Sequence, residues 1–97
     1  MPDMYILAGK TPVACLNLYE WAKWHDTADR QVARETIGES EISTVFLGLD
    51  HQWGEGPPIL FETMVFGGKL ADEQDRYSTW DEAVAGHKAI VKRVKEE

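Results

Sequence analysis

Residues 43–68 read STVFLGLDHQWGEGPPILFETMVFGG, and this stretch decides the fold. Two runs rich in β-branched and aromatic residues, 41–50 and 59–66, flank an eight-residue loop that contains two glycines and two prolines. The pattern predicts a long β-hairpin in which Asp50 faces Leu60 across the loop. The pair Gly67 and Gly68 ends the second strand.

The predicted register gives the hairpin two different faces. One face is nearly all apolar, and we expect it to form the core beneath the helices. It comprises Val45, Leu47, Leu49, Phe61, Thr63 and Val65. The opposite face combines four large apolar side chains with two acids. These are Phe46, Leu60, Met64, Phe66, Asp50 and Glu62. The assignment of faces fails only if a bulge interrupts a strand.

The flanking segments supply the rest of the fold. Residues 4–8 and 12–16 form a predicted hairpin, and the alternating pattern from residue 30 to residue 37 predicts a further strand. The strand order, with neighbouring strands joined by short connections, predicts a single α+β domain over residues 1–97. It has two layers: a mainly antiparallel sheet of about five strands, in the order β-β-α-β-β-β-α, with two amphipathic helices on one face.

Two helices are predicted from their starts and from their apolar stripes. Asn17 with Glu20, and Ser78 and Thr79 with acids three residues later, have the spacing of capping boxes. The stripe of the first helix is Leu18, Trp21, Ala22 and His25, and that of the second is Trp80, Val84, His87, Val91 and Val94. The first helix is expected to end at residues 26–29, with a continuation to Ala33 as the alternative.

Charge and composition limit the possible partners. The 97 residues carry a net charge of −7, which disfavours direct binding to nucleic acid or to an anionic membrane. The same acidity suits a basic protein partner, mimicry of a nucleic acid, or simple solubility. The single cysteine, Cys15, excludes an internal disulfide, and we expect it to be buried in an apolar strand. Without a visible signal peptide or a long apolar run, a cytoplasmic location is expected.

The second face of the hairpin suggests a contact surface. Two helices on one side of a five-stranded sheet leave the other side uncovered, and an uncovered apolar patch often marks a protein interface. The sequence therefore favours a non-catalytic protein-binding module that contacts a protein partner or a second copy in a homodimer. The predicted binding residues are Phe46, Trp53, Leu60, Met64 and Phe66. Trp53 is either an anchor in the loop or a side chain that packs back over the hairpin.

An alternative is a small enzyme or a metal- or ligand-binding protein that uses Asp50, His51 and Glu62. Two carboxylates on one sheet face can share a site in which their repulsion raises one pKa. The chain contains no HxxxH, HExxH or CxxC spacing and no P-loop, so no metal and no cofactor are expected. Solvated acids at the end of the sheet, with no catalytic role, explain the same residues.

Three segments carry a resemblance to a known group of proteins. The strings STVFLGLDH, GPPILFETMVFGG and RYSTWDEAVAGH, which lie between Ser43 and His87, resemble small uncharacterised proteins encoded by bacteriophages and prophages. The resemblance implies a viral setting but no activity, and it assigns no catalytic residues. For a small acidic protein of this type, it implies an inhibitor of a host enzyme or of a host defence complex.

Overall fold

The computed structural model describes residues 3–97, so that Met1 and Pro2, which open the segment searched for a signal peptide, lie outside it. It confirms the α+β class, with six strands where five were predicted. The elements are β1 (Tyr5–Ala8), β2 (Thr11–Ala14), α1 (Leu18–Thr27), β3 (Gln31–Ile37), β4 (Ser40–Phe46), β5 (Phe61–Phe66), β6 (Gln74–Tyr77) and α2 (Trp80–Glu96). All strand pairs are antiparallel, and they form a two-stranded sheet, β1-β2, and a four-stranded sheet, β3-β4-β5-β6.

The central hairpin changes register at Gly48. Near the loop, the N–H of His51 donates to the carbonyl of Ile59, which matches the predicted register. On the β4 side of Gly48, the N–H of Leu47 donates to the carbonyl of Leu60, and Phe46 pairs with Phe61. This pairing is shifted by three residues from the register near the loop. Gly48 has a φ of +83°, and the strand β4 ends before it. Because side chains alternate with a period of two, a shift of three residues exchanges the faces of β4 relative to β5.

The prediction of the buried face is therefore right for β5 and wrong for β4. Phe61, Thr63 and Val65 are buried as expected, but their neighbours on β4 are Phe46, Thr44 and Ile42. Val45, Leu47 and Leu49, which we expected in the core, are half-buried. The bulge that would overturn the face assignment is present, and the glycine within FLGLD is its sequence signal.

The long helix α2 lies across all four strands of the larger sheet. Its capping box is complete, because Thr79 accepts from the N–H of Glu82 and Glu82 accepts from the N–H of Thr79. Its buried side chains form two apolar clusters against the sheet. One contains Ile42, Val65, Ile90, Val91 and Val94, and the other contains Phe46, Leu60, Phe61 and Ala83. Most of the predicted apolar stripe of this helix is thereby confirmed.

The short helix α1 packs beside the sheet and not across it, which corrects the prediction of two helices on one face. The indole N–H of Trp21 donates to the carbonyls of Tyr5 and Gly48, both at 3.1 Å. Trp24 meets Phe46 edge to face, with ring centroids 5.8 Å apart. Leu18 and Ala22, which the predicted stripe placed inward, are exposed. The helix begins at the predicted cap and ends at Thr27, close to the expected exit.

The small hairpin joins the larger sheet at its outer end. The N–H of Tyr5 donates to Gly48 and that of Asp50 donates to Asp3, so β1 lies between β2 and residues 48–50. Cys15, at the end of β2, is half-buried and not fully buried. Between residues 3 and 97, no helix has the length and apolarity that spanning a membrane would require.

Candidate functional site

The predicted contact face does not exist as one surface. Phe46 and Leu60 are buried in the core beneath α2, and that part of the prediction is wrong. The physical reason is the shift at Gly48, which turns Phe46 toward Phe61 and α2. Met64 is half-buried and Phe66 is half-exposed, and both lie on the opposite face of β5. Only these two members of the predicted set keep an outward position on the sheet.

The outward face of the sheet is dominated by charge pairs. The guanidinium of Arg76 contacts the Glu62 carboxylate at 2.8 Å, and Arg34 contacts Glu41 at the same distance. Each of these pairs joins adjacent strands across the sheet. Met64 lies beside this charged row. These ion pairs make the face less suited to a hydrophobic partner than a continuous apolar patch would be.

The three residues proposed for an enzymatic site have separate partners. The Asp50 carboxylate accepts from the N–H of Gln52 at 2.7 Å and from the N–H of Ile59 at 2.9 Å, so it closes the loop. His51 contributes its backbone N–H to the same closure. Glu62 lies opposite Val45 and is paired with Arg76. Asp50 thus has a structural role in the loop, and the ion pair accounts for Glu62.

Within the part of the chain that the structure describes, no three His, Cys, Asp or Glu side chains are grouped in a way that could hold a metal ion.

Large apolar side chains are exposed at the end of the molecule where the central loop begins. Trp53 is 93% exposed, Leu16 is 96% exposed and Tyr19 is 89% exposed, and Leu18 is also exposed. We call Leu16, Leu18, Tyr19 and Trp53 the apolar end. Sequence reasoning had identified Trp53 and missed the other three, because Leu16 was assigned to a strand and Leu18 to an inward stripe. The available signal was the position of these residues at the start of the helix, where Leu16 precedes the Asn17 cap and Tyr19 lies outside the predicted apolar stripe.

The two segments of the apolar end leave the strands on either side of β1. The N–H of Cys15 donates to the carbonyl of Met4 on one side of the β1 segment, and the N–H of Asp50 donates to the carbonyl of Asp3 on the other side. Since adjacent strands lie about 4.8 Å apart, the segments that carry Leu16 and Trp53 start roughly 10 Å from each other. The apolar end is thus built from two segments on one side of the molecule.

The charged residues closest in sequence to the apolar end are mainly acidic. Glu20 and Glu55 are exposed, and so is Asp3, whose carbonyl accepts from the N–H of Asp50 near the loop. The exposed cations of the same part of the chain are Lys10 and Lys23. Charges at the rim of a contact surface select the partner more than they add affinity. The apolar end therefore combines hydrophobic anchors with an acidic rim.

A second unusual feature is a line of polar side chains in the core. Thr44, Thr63 and His87 are buried between the two apolar clusters, and Glu35 and Tyr77 join them at the two edges of the sheet. We call these five residues the polar line. Thr44 contacts Nδ1 of His87 at 2.7 Å and also the hydroxyl of Thr63, and Nε2 of His87 contacts Glu35 at 3.2 Å.

The outer member of the polar line is Tyr77, which donates its hydroxyl hydrogen to Thr63 at 3.1 Å. Burial raises the pKa of Tyr77 above its ordinary value, and the negative charge of Asp75 adds to the increase. The hydrogen bond with Thr63 lowers the pKa, and its effect is smaller than that of burial and larger than that of Asp75. The structure thus favours the neutral hydroxyl that this bond requires. The sequence places His87 on the apolar stripe of the second helix, but it does not identify the partners of the side chain.

Comparison with models of known protein families, with curated proteins and with solved structures finds no match for this chain in any of the three.

Proposed function

We propose that this chain is a non-catalytic protein-binding module that contacts a basic protein through its apolar end. The observation that carries the proposal is the near-complete exposure of Leu16, Tyr19 and Trp53. Outside the apolar end, the most exposed large apolar side chains of the described residues are Phe66 at 50% and Val13 at 43%. Single exposed apolar residues are common, whereas several on adjoining segments indicate an interaction site.

The residue types of the apolar end suit a contact surface. Tryptophan and tyrosine are enriched among the residues that dominate binding energy, because each buries a large area with few rotatable bonds. Full burial of a leucine side chain contributes about 1.5–3 kcal/mol. Trp53 is followed by Gly54 and, after Glu55, by Gly56, both with positive φ, so few side chains crowd it on that side of the loop. These properties favour an anchor that enters a recess on a partner.

The charge pattern favours a different protein over a second copy. Two copies that meet through the apolar end would bring the acidic rims of Asp3, Glu20 and Glu55 together, on molecules that each carry −7. Like charges at an interface cost free energy and slow association. A partner with an apolar recess can bury the exposed anchors, and a basic border on that partner would attract the acidic rim. Under the phage-type resemblance, that partner is a host protein in the cytoplasm, which the module inhibits by covering a surface.

The proposal is tested by site-specific photo-crosslinking in a bacterial host. A photoreactive phenylalanine analogue at Leu16 or at Trp53 is expected to capture the same protein, and the analogue at Thr36, on the outward side of β3, is expected not to capture it. The captured protein is then purified and titrated calorimetrically with the wild-type chain, with Leu16→Ser, with Trp53→Ala and with the matched control Phe66→Ser.

We expect Leu16→Ser and Trp53→Ala each to weaken binding by about tenfold or more, because each removes an anchor that the partner would bury. Phe66→Ser should leave affinity unchanged, and the association rate should fall as salt is added. Light scattering on the purified chain tests whether a second copy of the chain, and not a different protein, occupies the apolar end. A dimer that Leu16→Ser dissociates would assign the apolar end to self-association. Equal loss of binding for Phe66→Ser, or equal capture from Thr36, would overturn the proposal.

A further inference from the structure

The outer strands of the two sheets differ in how well they are protected against a further strand. Pro12 leaves the middle of β2 without an N–H, and on β6 the N–H of Arg76 donates to the Asp75 carboxylate. The strand β3 begins with a bulge between Gln31 and Ala33, but its second half has no such feature. Because prolines, bulges and occupied N–H groups hinder the pairing of an added strand, the second half of β3 is an open edge.

The main chain of this open edge faces away from β4 at two residues. The pair Ile37 and Ser40 closes a hairpin with a two-residue turn at 38–39, and such a closing pair is hydrogen-bonded. Hydrogen-bonded and non-hydrogen-bonded pairs alternate along an antiparallel ladder, so Arg34 and Thr36 direct their N–H and C=O groups outward. Within residues 3–97 these four groups have no hydrogen-bond partner. They are therefore a template for an added strand.

A stripe of lysines on α2 lies beside the open edge. Lys88, Lys92 and Lys95 follow one another at i, i+4 and i+7, and with Glu35 of β3 they line an open depression of about 340 Å³. In the described part of the chain, neither Lys88 nor Lys95 forms an ion pair. Lys92 reaches only the exposed Glu96, at 4.0 Å, which is a weak contact in water.

The acids nearby do not cancel this positive charge. Glu35 is the only carboxylate that lines the depression, and it is already in contact with Nε2 of His87 at 3.2 Å. Glu39 and Glu97 line a neighbouring depression at the turn between β3 and β4, on the far side of Lys95. The middle of the lysine stripe therefore carries an excess of positive charge, which attracts an acidic ligand.

We propose that an extended acidic segment of another protein pairs with the open edge of β3 and places its acidic side chains against the lysine stripe. We call Arg34, Thr36, Lys88, Lys92 and Lys95 the edge site. Successive side chains of a strand point to opposite faces, so every second residue of the segment faces α2. The main chain of β3 supplies affinity, and the lysines select a segment with acids at alternate positions.

Two other occupants fit the edge site less well. A nucleic acid has no row of amide donors and acceptors at strand spacing, and the acidic remainder of the chain repels it. In a dimer formed by two β3 edges, the two-fold axis is perpendicular to the joined sheet, so both α2 helices lie on the same side of it. The two lysine stripes would then face each other, and their repulsion opposes self-association.

The edge site is independent of the apolar end. The apolar end is proposed to bind a basic protein, whereas the lysine stripe attracts acids, so the two sites take different molecules. The tests of the edge site leave Leu16, Tyr19 and Trp53 unchanged, and either proposal can therefore fail without the other.

The first test is a calorimetric titration of the wild-type chain with a short N-acetylated peptide in which glutamate alternates with threonine. Glutamine in place of glutamate should weaken binding by about tenfold or more. Only every second N–H of an added strand faces β3, so N-methylation of one alternate set of amides should abolish binding, and the other set should tolerate it. No saturable binding of the glutamate peptide, or equal effects of the two methylated sets, would overturn the proposal.

The second test uses variants of the chain with the same peptide. Thr36→Pro removes an outward N–H without removing a bond to β4, and Gln74→Pro on the edge of β6 is its matched control. The double variant Lys88→Gln and Lys95→Gln is compared with Lys10→Gln and Lys23→Gln, which changes the net charge equally. We expect Thr36→Pro and the first lysine pair each to weaken binding by about tenfold or more, and both controls to bind like the wild type.

Equal losses for the variants and their controls would refute the edge site. If Thr36→Pro does not fold, the two N-methylated peptides decide the question. An oligonucleotide that binds through Lys88 and Lys95 but is indifferent to Thr36→Pro would assign the lysines to nucleic acid. A dimer in light scattering that Thr36→Pro dissociates would assign the edge to a second copy, and either result would overturn the proposal.

Discussion

Gly48 is the residue on which the arrangement of the central hairpin depends. Its φ of +83° lies in the left-handed region, and its carbonyl accepts from Tyr5 and from Trp21. A Cβ at this position would lie 3.1 Å from the ring of His25 and 3.4 Å from the indole nitrogen of Trp21. The backbone conformation and the close approach of α1 therefore both require glycine.

Gly48→Ala should lower the free energy of unfolding by about 2 kcal/mol or more, since alanine in the left-handed region costs about 1–2 kcal/mol before any crowding. The matched control is Gly38→Ala, whose φ is +58° but whose Cβ would meet nothing within 4 Å. Urea denaturation of both variants separates the two contributions. Equal losses would show that the contact with α1 contributes nothing.

At the scale of the element, the interior of α2 contains a glycine where a larger residue would collide with Tyr77 of the adjacent strand. Gly86 is within the helix, where glycine costs roughly 1 kcal/mol relative to alanine. A Cβ there would collide with the ring of Tyr77, whose nearest ring carbon would be 2.2 Å away. Glycine at this position lowers the intrinsic stability of the helix, but it leaves the space that Tyr77 needs to form its hydrogen bond with Thr63.

Gly86→Ala should therefore destabilise the wild-type fold by about 1–2 kcal/mol, because the displaced Tyr77 ring loses its hydrogen bond. In a Tyr77→Ala background the same substitution should stabilise the fold by up to about 1 kcal/mol, since only helix propensity remains. A double-mutant cycle followed by thermal and urea unfolding measures this change of sign. A stabilising effect in both backgrounds would contradict the account.

At the scale of the whole molecule, α2 holds two apolar clusters together with the polar line between them. The cluster around Phe46 also receives Tyr5, Leu7 and Trp24 from the first quarter of the chain. The polar line therefore lies at the centre of the packing, and its ionisation affects the complete fold. For Tyr77 the direction of the effect of pH on stability is known, because the folded state raises the pKa of Tyr77 above the ordinary value of 10.0.

The stability that neutral Tyr77 contributes is fully present below the pKa of an unfolded tyrosine, and it is lost as the pH rises through the folded pKa. We expect the urea midpoint of the wild type to fall as the pH rises above about 10. Tyr77→Phe should show a weaker dependence over this range, and Tyr19→Phe, which alters an exposed ring, should behave like the wild type. Parallel curves for all three proteins would exclude this role of Tyr77.

Much of the fold could be predicted from local patterns. The Thr79 capping box, the inward stripe of α2 and the β-rich runs of the central hairpin depend on neighbours within a few residues, and the structure confirms them. The candidate site was predicted less well. Trp53 follows from its glycine-rich loop, but Phe46 and Leu60 were placed on a contact face and are buried.

The sequence by itself determined the class of fold, the helix starts and the acidity of the surface. Only the tertiary structure decided which side of β4 enters the core, because that choice depends on Tyr5 and Trp21 closing on Gly48 from distant parts of the chain. An alternating sequence pattern is compatible with either register of the hairpin. A single backbone irregularity, such as the one at Gly48, decides which face of the strand enters the core. The same long-range packing brings His87 to Thr44 and leaves Leu16 and Tyr19 exposed.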